Sequence, residues 1–167
     1  MKTTTRLPIG IALLVIAVDQ IIKYIVSAAL PLGGAWSPLA GPNPFFQIVY
    51  TINTGVAFGL FKDLGPVFII VPLVIGGAIL FYARRLRADQ RPVALALGLM
   101  LGGALGNVID RLRLGGGVLD FFDVGLGTLR NASNVADWCI VLGVILLAIA
   151  MWREERQAKL SGDVRSN

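Results

Sequence analysis

Hydrophobic and polar positions divide the chain into four long apolar runs separated by polar connections. A helix needs about 20 mostly apolar residues to cross a hydrocarbon core of about 30 Å, and each run approaches that length. We therefore predict four transmembrane helices, at about residues 7–30, 66–83, 92–109 and 135–152. The connection between the second and third runs is short, which makes these two helices antiparallel neighbours.

Composition agrees with this pattern, since 56% of the residues are hydrophobic and only 15% are charged. Soluble domains carry about 25% charged residues. The length of 167 residues suits one domain. The fold class predicted is an α-helical integral membrane protein that forms a single transmembrane domain over residues 1–167.

The first apolar run has two interpretations. Lys2 and Arg6 precede it and small residues follow it, which is also typical of a cleaved secretory signal. The run continues past Asp19, Gln20 and Lys23 into another apolar turn, which is too long for a cleaved signal. A retained helix with a polar interruption is the better interpretation.

The basic residues predict the orientation in the membrane, because Lys and Arg accumulate in cytoplasmic loops. Ten of the fifteen lie at the amino terminus, in the second connection and in the carboxyl-terminal tail. They are Lys2, Arg6, Arg84, Arg85, Arg87, Arg91, Arg153, Arg156, Lys159 and Arg165. Both termini are therefore expected in the cytoplasm. The net charge of +5 is explained by topology and anionic membrane lipid, without a nucleic-acid partner.

The two connections on the other side, residues 31–65 and 110–134, are longer and rich in Gly, Asn and aromatic residues. Residues 31–65 predict a small extracytoplasmic segment of short strands or a turn, followed by an amphipathic piece at the interface. Within "NTG", Asn53 supplies a side-chain amide beside the permissive backbone of Gly55. The aromatic residues of the segment 31–65 suit the headgroup level of the membrane. They are Phe45, Phe46, Tyr50, Phe58 and Phe61.

Polar residues inside apolar runs are costly and indicate partners or function. Asp19 and Lys23 are four apart on the first helix, so they share a face and are predicted to form a structural pair. On the third helix Asn107, Asp110 and Arg111 are also three and four apart. They form either an anchoring ion pair at the membrane surface or the scaffold of an active site.

A third cluster combines Asp120, in "VLDFF", with Asn134 and Asp137, in "NVADWC". Asp137 lies where a helix dipole favours a carboxylate, by about 0.3 to 1 kcal/mol, so capping alone would explain it. Capping does not explain Asp120. Two neighbouring aspartates lose their protons in separate steps, so one acts as general base while the other acts as general acid.

Other hydrolytic chemistries are less compatible with the sequence. The chain has no histidine, which excludes Ser/His/Asp and Cys/His arrangements and a histidine-liganded zinc site. Its single cysteine, Cys139, has no disulfide partner and is expected to be a core residue. A Ser27/Lys23 pair is disfavoured because Asp19 keeps the lysine charged.

Five motifs occur in order along the four runs: "VDQIIK", "NTGVAF", "GGALGNVIDR", "VLDF" and "NVAD". In this combination the chain resembles the lipoprotein signal peptidase (signal peptidase II) family. The resemblance implies a multi-pass aspartic endopeptidase of the bacterial inner membrane with its active site at the extracytoplasmic face. It would remove the signal peptide of diacylglyceryl-modified prolipoproteins just before the lipidated cysteine. No metal or other cofactor is implied, and we expect a monomer in contact with membrane lipid.

The same resemblance assigns roles by position. Asp120 and Asp137 correspond to the catalytic dyad, and Asp19 and Lys23 to a structural polar pair. The positions expected to bind substrate or support the site are Asn53, Gly55, Asn107, Asp110, Arg111 and Asn134.

Some positions depart from the family's usual pattern. Family members often have Phe before "NVAD" and Ser after it, where this chain has Ser133 and Trp138. Asp123 follows Asp120 by three residues, and the "LDF" match favours Asp120 as the dyad member.

Two other function classes compete with a peptidase. A small transporter or ion pathway would use Asp19, Lys23, Asp110 and Asp137. It is disfavoured because most of these groups cluster at one end of the helices instead of spreading through the membrane. A structural membrane subunit would tolerate replacement of both candidate aspartates.

Overall fold

A computed structural model of the chain describes residues 6–38, 45–55, 66–126 and 129–163. Phe58 and Phe61 of the predicted aromatic segment, and the amphipathic piece expected around them, lie outside the described residues. Four helices and a small sheet make up the described fold. The helices are α1 (Arg6–Ala29), α2 (Val67–Ala83), α3 (Arg91–Arg113) and α4 (Val135–Asp163).

Three of these helices are long and apolar enough to cross a membrane, namely α1, α3 and the Val135–Gln157 part of α4. The fourth, α2, is shorter, with 17 residues, which is near the lower limit for a span. All four predicted helices are therefore present.

Two of the predicted helix ends were wrong. The apolar run predicted as the third helix ends at about residue 109, whereas α3 continues to Arg113, and Asp110 and Arg111 lie on this helix as expected. Gly115 and Gly116, with φ of 63° and 99°, follow the end of the helix, where left-handed backbone is typical. The predicted fourth helix stops at residue 152, whereas α4 continues to Asp163, because its charged tail consists largely of good helix formers.

Helix α3 is the centre of the bundle, with α1 and α4 packed against it and α2 on a further side. Glycines make the close approach possible. A Cβ at Gly102 would lie 2.7 Å from Cβ of Val15 on α1, and a Cβ at Gly103 would lie 2.7 Å from Cγ1 of Ile140 on α4. A Cβ at Gly103 would also collide with the carbonyl oxygen of Ala136.

We expect Gly103→Ala to destabilise the protein by about 1 to 3 kcal/mol, because the added methyl group pushes α4 away from α3. Thermal unfolding in detergent measures the effect. Gly77→Ala is the matched control, since a Cβ at that position of α2 meets nothing within 4 Å. A Gly103→Ala protein as stable as the Gly77→Ala protein would contradict this packing argument.

The four strands form one antiparallel sheet in the order β1, β2, β3, β4. They are β1 (Ala35–Trp36), β2 (Phe46–Asn53), β3 (Val118–Leu126) and β4 (Leu129–Ser133). Strands in residues 31–65 were predicted. Sequence reasoning did not foresee that β3 and β4, from the second outer connection, complete the same sheet.

The sheet packs on the end of α1, where Leu119 and Phe121 of β3 form a small buried cluster with Val26. The register pairs Asn53 with Val118 and Thr51 with Asp120. The sheet therefore places Asn53, from one outer connection, beside Asp120, from the other.

Candidate active site

Asp120 is a buried carboxylate in the middle of polar donors, with only 3% of its surface exposed. Asn53 Nδ2 donates to Oδ2 of Asp120 at 3.1 Å, and Asn134 Nδ2 donates to Oδ1 at 2.7 Å. Asn53 is itself oriented by a turn, since the backbone N–H of Gly55 donates to its Oδ1 at 2.9 Å. Gly55 has a φ of 72°, a conformation that suits glycine.

Asp137 lies in the first turn of α4, as predicted, and its side chain is half-buried. Asn107 Nδ2, from α3, donates to Oδ1 of Asp137 at 2.7 Å. The backbone N–H of Asp137 donates to Oδ1 of Asn134 at 2.9 Å, so Asn134 caps α4 through its side chain.

Asn134 therefore joins the two aspartates through one amide group. Its Nδ2 contacts the carboxylate of Asp120, while its Oδ1 holds the backbone of Asp137. The two carboxylates are close enough for the negative charge of Asp137 to act on Asp120. The structure thus brings together, on different elements, the two residues expected to form the dyad.

The polar pair Asp19–Lys23 is part of a larger buried network. Lys23 Nζ lies 2.7 Å from Oδ2 of Asp19 and also 2.7 Å from Oδ2 of Asp110. It donates to Oδ1 of Asn107 at 3.2 Å as well. Of the two alternatives for Asn107, Asp110 and Arg111, this arrangement favours the scaffold over a surface ion pair, because Asp110 is buried and pairs with the lysine of another helix.

This network also holds the backbone next to each candidate aspartate. Asp19 Oδ1 accepts from the N–H of Ala136 at 3.0 Å, one residue before Asp137. Asp110 Oδ2 accepts from the N–H of Leu119 at 3.0 Å, one residue before Asp120. Its role is therefore to position the start of α4 and the start of β3.

Two further side chains join the network. Gln20 was not among the predicted site residues, although "VDQIIK" contains it; its Nε2 donates to Oδ1 of Asp110 at 2.9 Å. Arg111 was predicted, and its Nη1 donates to the carbonyl oxygen of Asn107 at 3.3 Å. The guanidinium lies 5.8 Å from the ring centre of Phe68.

Asp123, the alternative dyad member, takes no part in this arrangement. It is buried on the same strand as Asp120, but its Oδ2 accepts from Nε of Arg130 at 2.7 Å. Gln47, from β2, donates to the same oxygen. Asp123 therefore belongs to a separate polar group within the sheet.

Burial raises the pKa of the Asp120 carboxyl above its ordinary value. The amide donors of Asn53 and Asn134 oppose this rise, because they stabilise the ionised form, and the negative charge of Asp137 adds to it. The net direction is upward, so protonated Asp120 persists to higher pH than an ordinary aspartic acid.

A groove of about 350 Å³ leads from the site along the helices. Its polar end holds Asn107, Arg111 and Asp137. The rest of its lining is apolar and comes from α2, α3 and α4: Pro72, Ile75, Ile79, Met100, Ala104 and Ile140. An apolar segment lying in this groove would have one end beside Asp137.

The sequence matches a known family over most of its length. The family model described as Signal peptidase (SPase) II matches residues 11–153. The chain belongs to the signal peptidase II family. This is a family of aspartic peptidases that process prolipoproteins, so membership favours the peptidase interpretation over a transporter or a structural subunit.

Similar proteins support the same family. The chain is 42% identical over 161 residues to the lipoprotein signal peptidase of Geobacter sulfurreducens, covering 94% of this chain and 98% of that protein. It is 41% identical over 143 residues to the lipoprotein signal peptidase of Moorella thermoacetica, covering 82% and 87%. A solved structure described as a bacterial membrane enzyme superposes with a TM-score of 0.74 at 32% identity, covering 89% of this chain and 88% of that one.

The two positions that depart from the usual signal peptidase II pattern contact each other. Trp138 Nε1 donates to Oγ of Ser133 at 3.1 Å across the start of α4. Relative to the usual pattern, the aromatic ring and the hydroxyl group have exchanged places.

Proposed function

We propose that Asp120 and Asp137 are the catalytic dyad of this signal peptidase II. The substrate is proposed to be a diacylglyceryl-modified prolipoprotein, cleaved just before its lipidated cysteine. The observation that carries the assignment is the double contact of Asn134, which holds Asp120 through one atom and the backbone of Asp137 through another. A dyad needs two carboxyl groups kept together in different protonation states.

The raised pKa of Asp120 supports its role as general acid, and the role of general base is assigned to Asp137. Asp137 takes a proton from water as the water oxygen attacks the peptide carbonyl carbon, and Asp120 gives its proton to the carbonyl oxygen. The tetrahedral intermediate then collapses: the carbon–nitrogen bond breaks, the proton held by Asp137 passes to the leaving amine, and one hydroxyl of the intermediate returns its proton to Asp120 as the carbonyl re-forms. Each proton transfer contributes on the order of 10² to 10⁴-fold.

The placement in the membrane is part of the proposal. The distribution of Lys and Arg supports cytoplasmic termini, which puts the sheet and the dyad at the extracytoplasmic face. The signal peptide lies along the apolar groove, with its cleavage point beside Asp137. We further propose that residues 1–167 form one domain that acts as a monomer in membrane lipid.

The pH dependence of cleavage tests the protonation states. We expect Asn53→Ala to shift the alkaline limb of the kcat/KM profile to higher pH. Loss of the Nδ2 donor destabilises ionised Asp120 and raises its pKa further. The assay follows cleavage of a synthetic diacylglyceryl lipopeptide in detergent, with products identified by mass.

Gln47→Ala is the control for this profile, because Gln47 contacts Asp123 on the same sheet and not Asp120. Its alkaline limb should coincide with that of the wild type, even if its rate differs. A limb that moves to lower pH in Asn53→Ala would contradict the assignment of Asp120 as the acid.

A further inference from the structure

A second groove of about 600 Å³ continues the first toward the opposite end of the helices, and both are lined by Ile75 and Ile79. It exists because α2 packs on α3 and, within the described ranges, scarcely touches α4. We call the two together the lateral groove. The remaining lining of its second half is Ala78, Tyr82, Val93, Leu97, Leu147, Met151, Glu154 and Glu155.

The charge at the far end of the lateral groove is opposite to that of its surroundings. Among the described residues that line this half, the charged ones are Glu154 and Glu155, the two glutamates of the chain. Basic residues dominate this end of the protein, and two of them are engaged by aromatic rings. Arg85 lies over the ring of Phe81 at 4.5 Å, and Arg156 lies over the ring of Trp152 at 5.5 Å.

The length of the lateral groove fits a signal peptide. Asp137 and Glu154 are seventeen residues apart on α4, which corresponds to about 26 Å of helix. A signal peptide has an apolar region of about 7 to 15 residues preceded by a positively charged amino-terminal region. With its cleavage point at the dyad and its apolar region helical in the groove, its basic region reaches the two glutamates.

We propose that Glu154 and Glu155 bind the basic amino-terminal region of the substrate's signal peptide and so select substrates by charge. This inference rests on the proposed function of the site. Glu155 now pairs with Lys159 at 2.6 Å, with both side chains mostly exposed, and Glu154 accepts from Gln90 at 3.2 Å. Such exposed contacts are weak, so a substrate Lys or Arg replaces them at little cost.

The experiment uses the full chain in phosphatidylcholine vesicles, which carry no net charge to compete for the peptide. Three synthetic diacylglyceryl lipopeptides share the apolar region and cleavage point but begin with Lys-Lys, Gln-Gln or Glu-Glu. We expect the wild type to favour the Lys-Lys peptide over the Gln-Gln peptide by about two- to fivefold in kcat/KM, the range typical of exposed ion pairs. Glu154→Gln with Glu155→Gln should bring this ratio to about one, by slowing cleavage of the Lys-Lys peptide more than that of the Gln-Gln peptide.

Asp89→Asn is the matched control, because Asp89 is an exposed acidic residue at the same end that pairs with Arg87 and does not line the lateral groove. It should keep the wild-type ratio, and Glu154→Lys with Glu155→Lys should favour the Glu-Glu peptide. An unchanged ratio in the double glutamine variant, an equal fall in Asp89→Asn, or an equal loss for all three peptides would overturn the proposal. Absence of cleavage of any peptide by the wild type would overturn the proposed function itself.

Discussion

Asp137→Asn and Asp120→Asn each lower kcat for a diacylglyceryl lipopeptide by at least about 10³-fold. Neither asparagine can take a proton from water or give one to the carbonyl oxygen, and each transfer is worth on the order of 10² to 10⁴-fold. Asparagine has nearly the same size as aspartate and can still accept a hydrogen bond through its carbonyl oxygen. The contacts with Asn134 and Asn107 therefore allow the fold to persist, which thermal unfolding of each variant checks.

Asp123→Asn is the matched control for these two variants. It is a buried aspartate on the same strand as Asp120, but it contacts Arg130 and Gln47 instead of Asn134. We expect it to keep kcat within about tenfold of the wild type, since the residue makes none of the proposed proton transfers. The assignment of Asp120 to the dyad would be contradicted by an Asp123→Asn enzyme that loses as much activity as Asp120→Asn. An Asp120→Asn enzyme that cleaves at the normal rate would contradict it as well.

Lys23→Met lowers the free energy of unfolding by about 3 to 5 kcal/mol, the range for removing one partner of a buried ion pair. Lys23 is 3% exposed and balances the charges of both Asp19 and Asp110. Methionine has a similar volume, so the loss comes from two uncompensated carboxyl groups and not from a cavity. Unfolding in mixed detergent micelles, followed by tryptophan fluorescence, measures the change.

Lys159→Met is the control, since Lys159 and Glu155 form an ion pair with the same spacing of four residues on an exposed helix face. It should alter the free energy of unfolding by less than about 1 kcal/mol. Adding Asp19→Asn and Asp110→Asn to Lys23→Met should recover part of the lost stability, because the three groups are then neutral together. If Lys23→Met proves no more destabilising than Lys159→Met, the network has no such structural role.

The same network explains why residues outside the proposed dyad belong to the recognisable motifs. Asp19 and Asp110 each accept a backbone N–H one residue before a proposed catalytic aspartate. Lys23 holds the oxygen of Asn107, and this turns the amide nitrogen of Asn107 toward Asp137. Their motifs are therefore adjacent in space to "VLDF" and "NVAD", although they are far from both along the chain.

The local pattern of residues was sufficient to predict some features of this protein. Apolar runs predicted the four helices, because burial in a bilayer demands about 20 apolar residues in sequence. The spacing of four residues predicted that Asp19 and Lys23 share a helix face. Five motifs in order along the chain predicted the family, which the match over residues 11–153 confirmed.

Other features depend on residues that are distant along the chain, and no local pattern contains them. The pairing of β2 with β3 brings Asn53 to Asp120. The packing of α1 on α3 gives Lys23 its second carboxylate, Asp110.

By itself, then, the sequence determined which segments enter the membrane and which residue types are available for chemistry. Only the tertiary structure decided that one amide, Asn134, joins the two aspartates, and that the gap between α2 and α4 leaves a lateral groove beside them. The physical reason is the separation along the chain over which each interaction acts. Hydrophobic burial and helical spacing act between near neighbours in sequence, whereas a hydrogen bond or an ion pair needs two atoms within about 3 Å, whichever elements carry them.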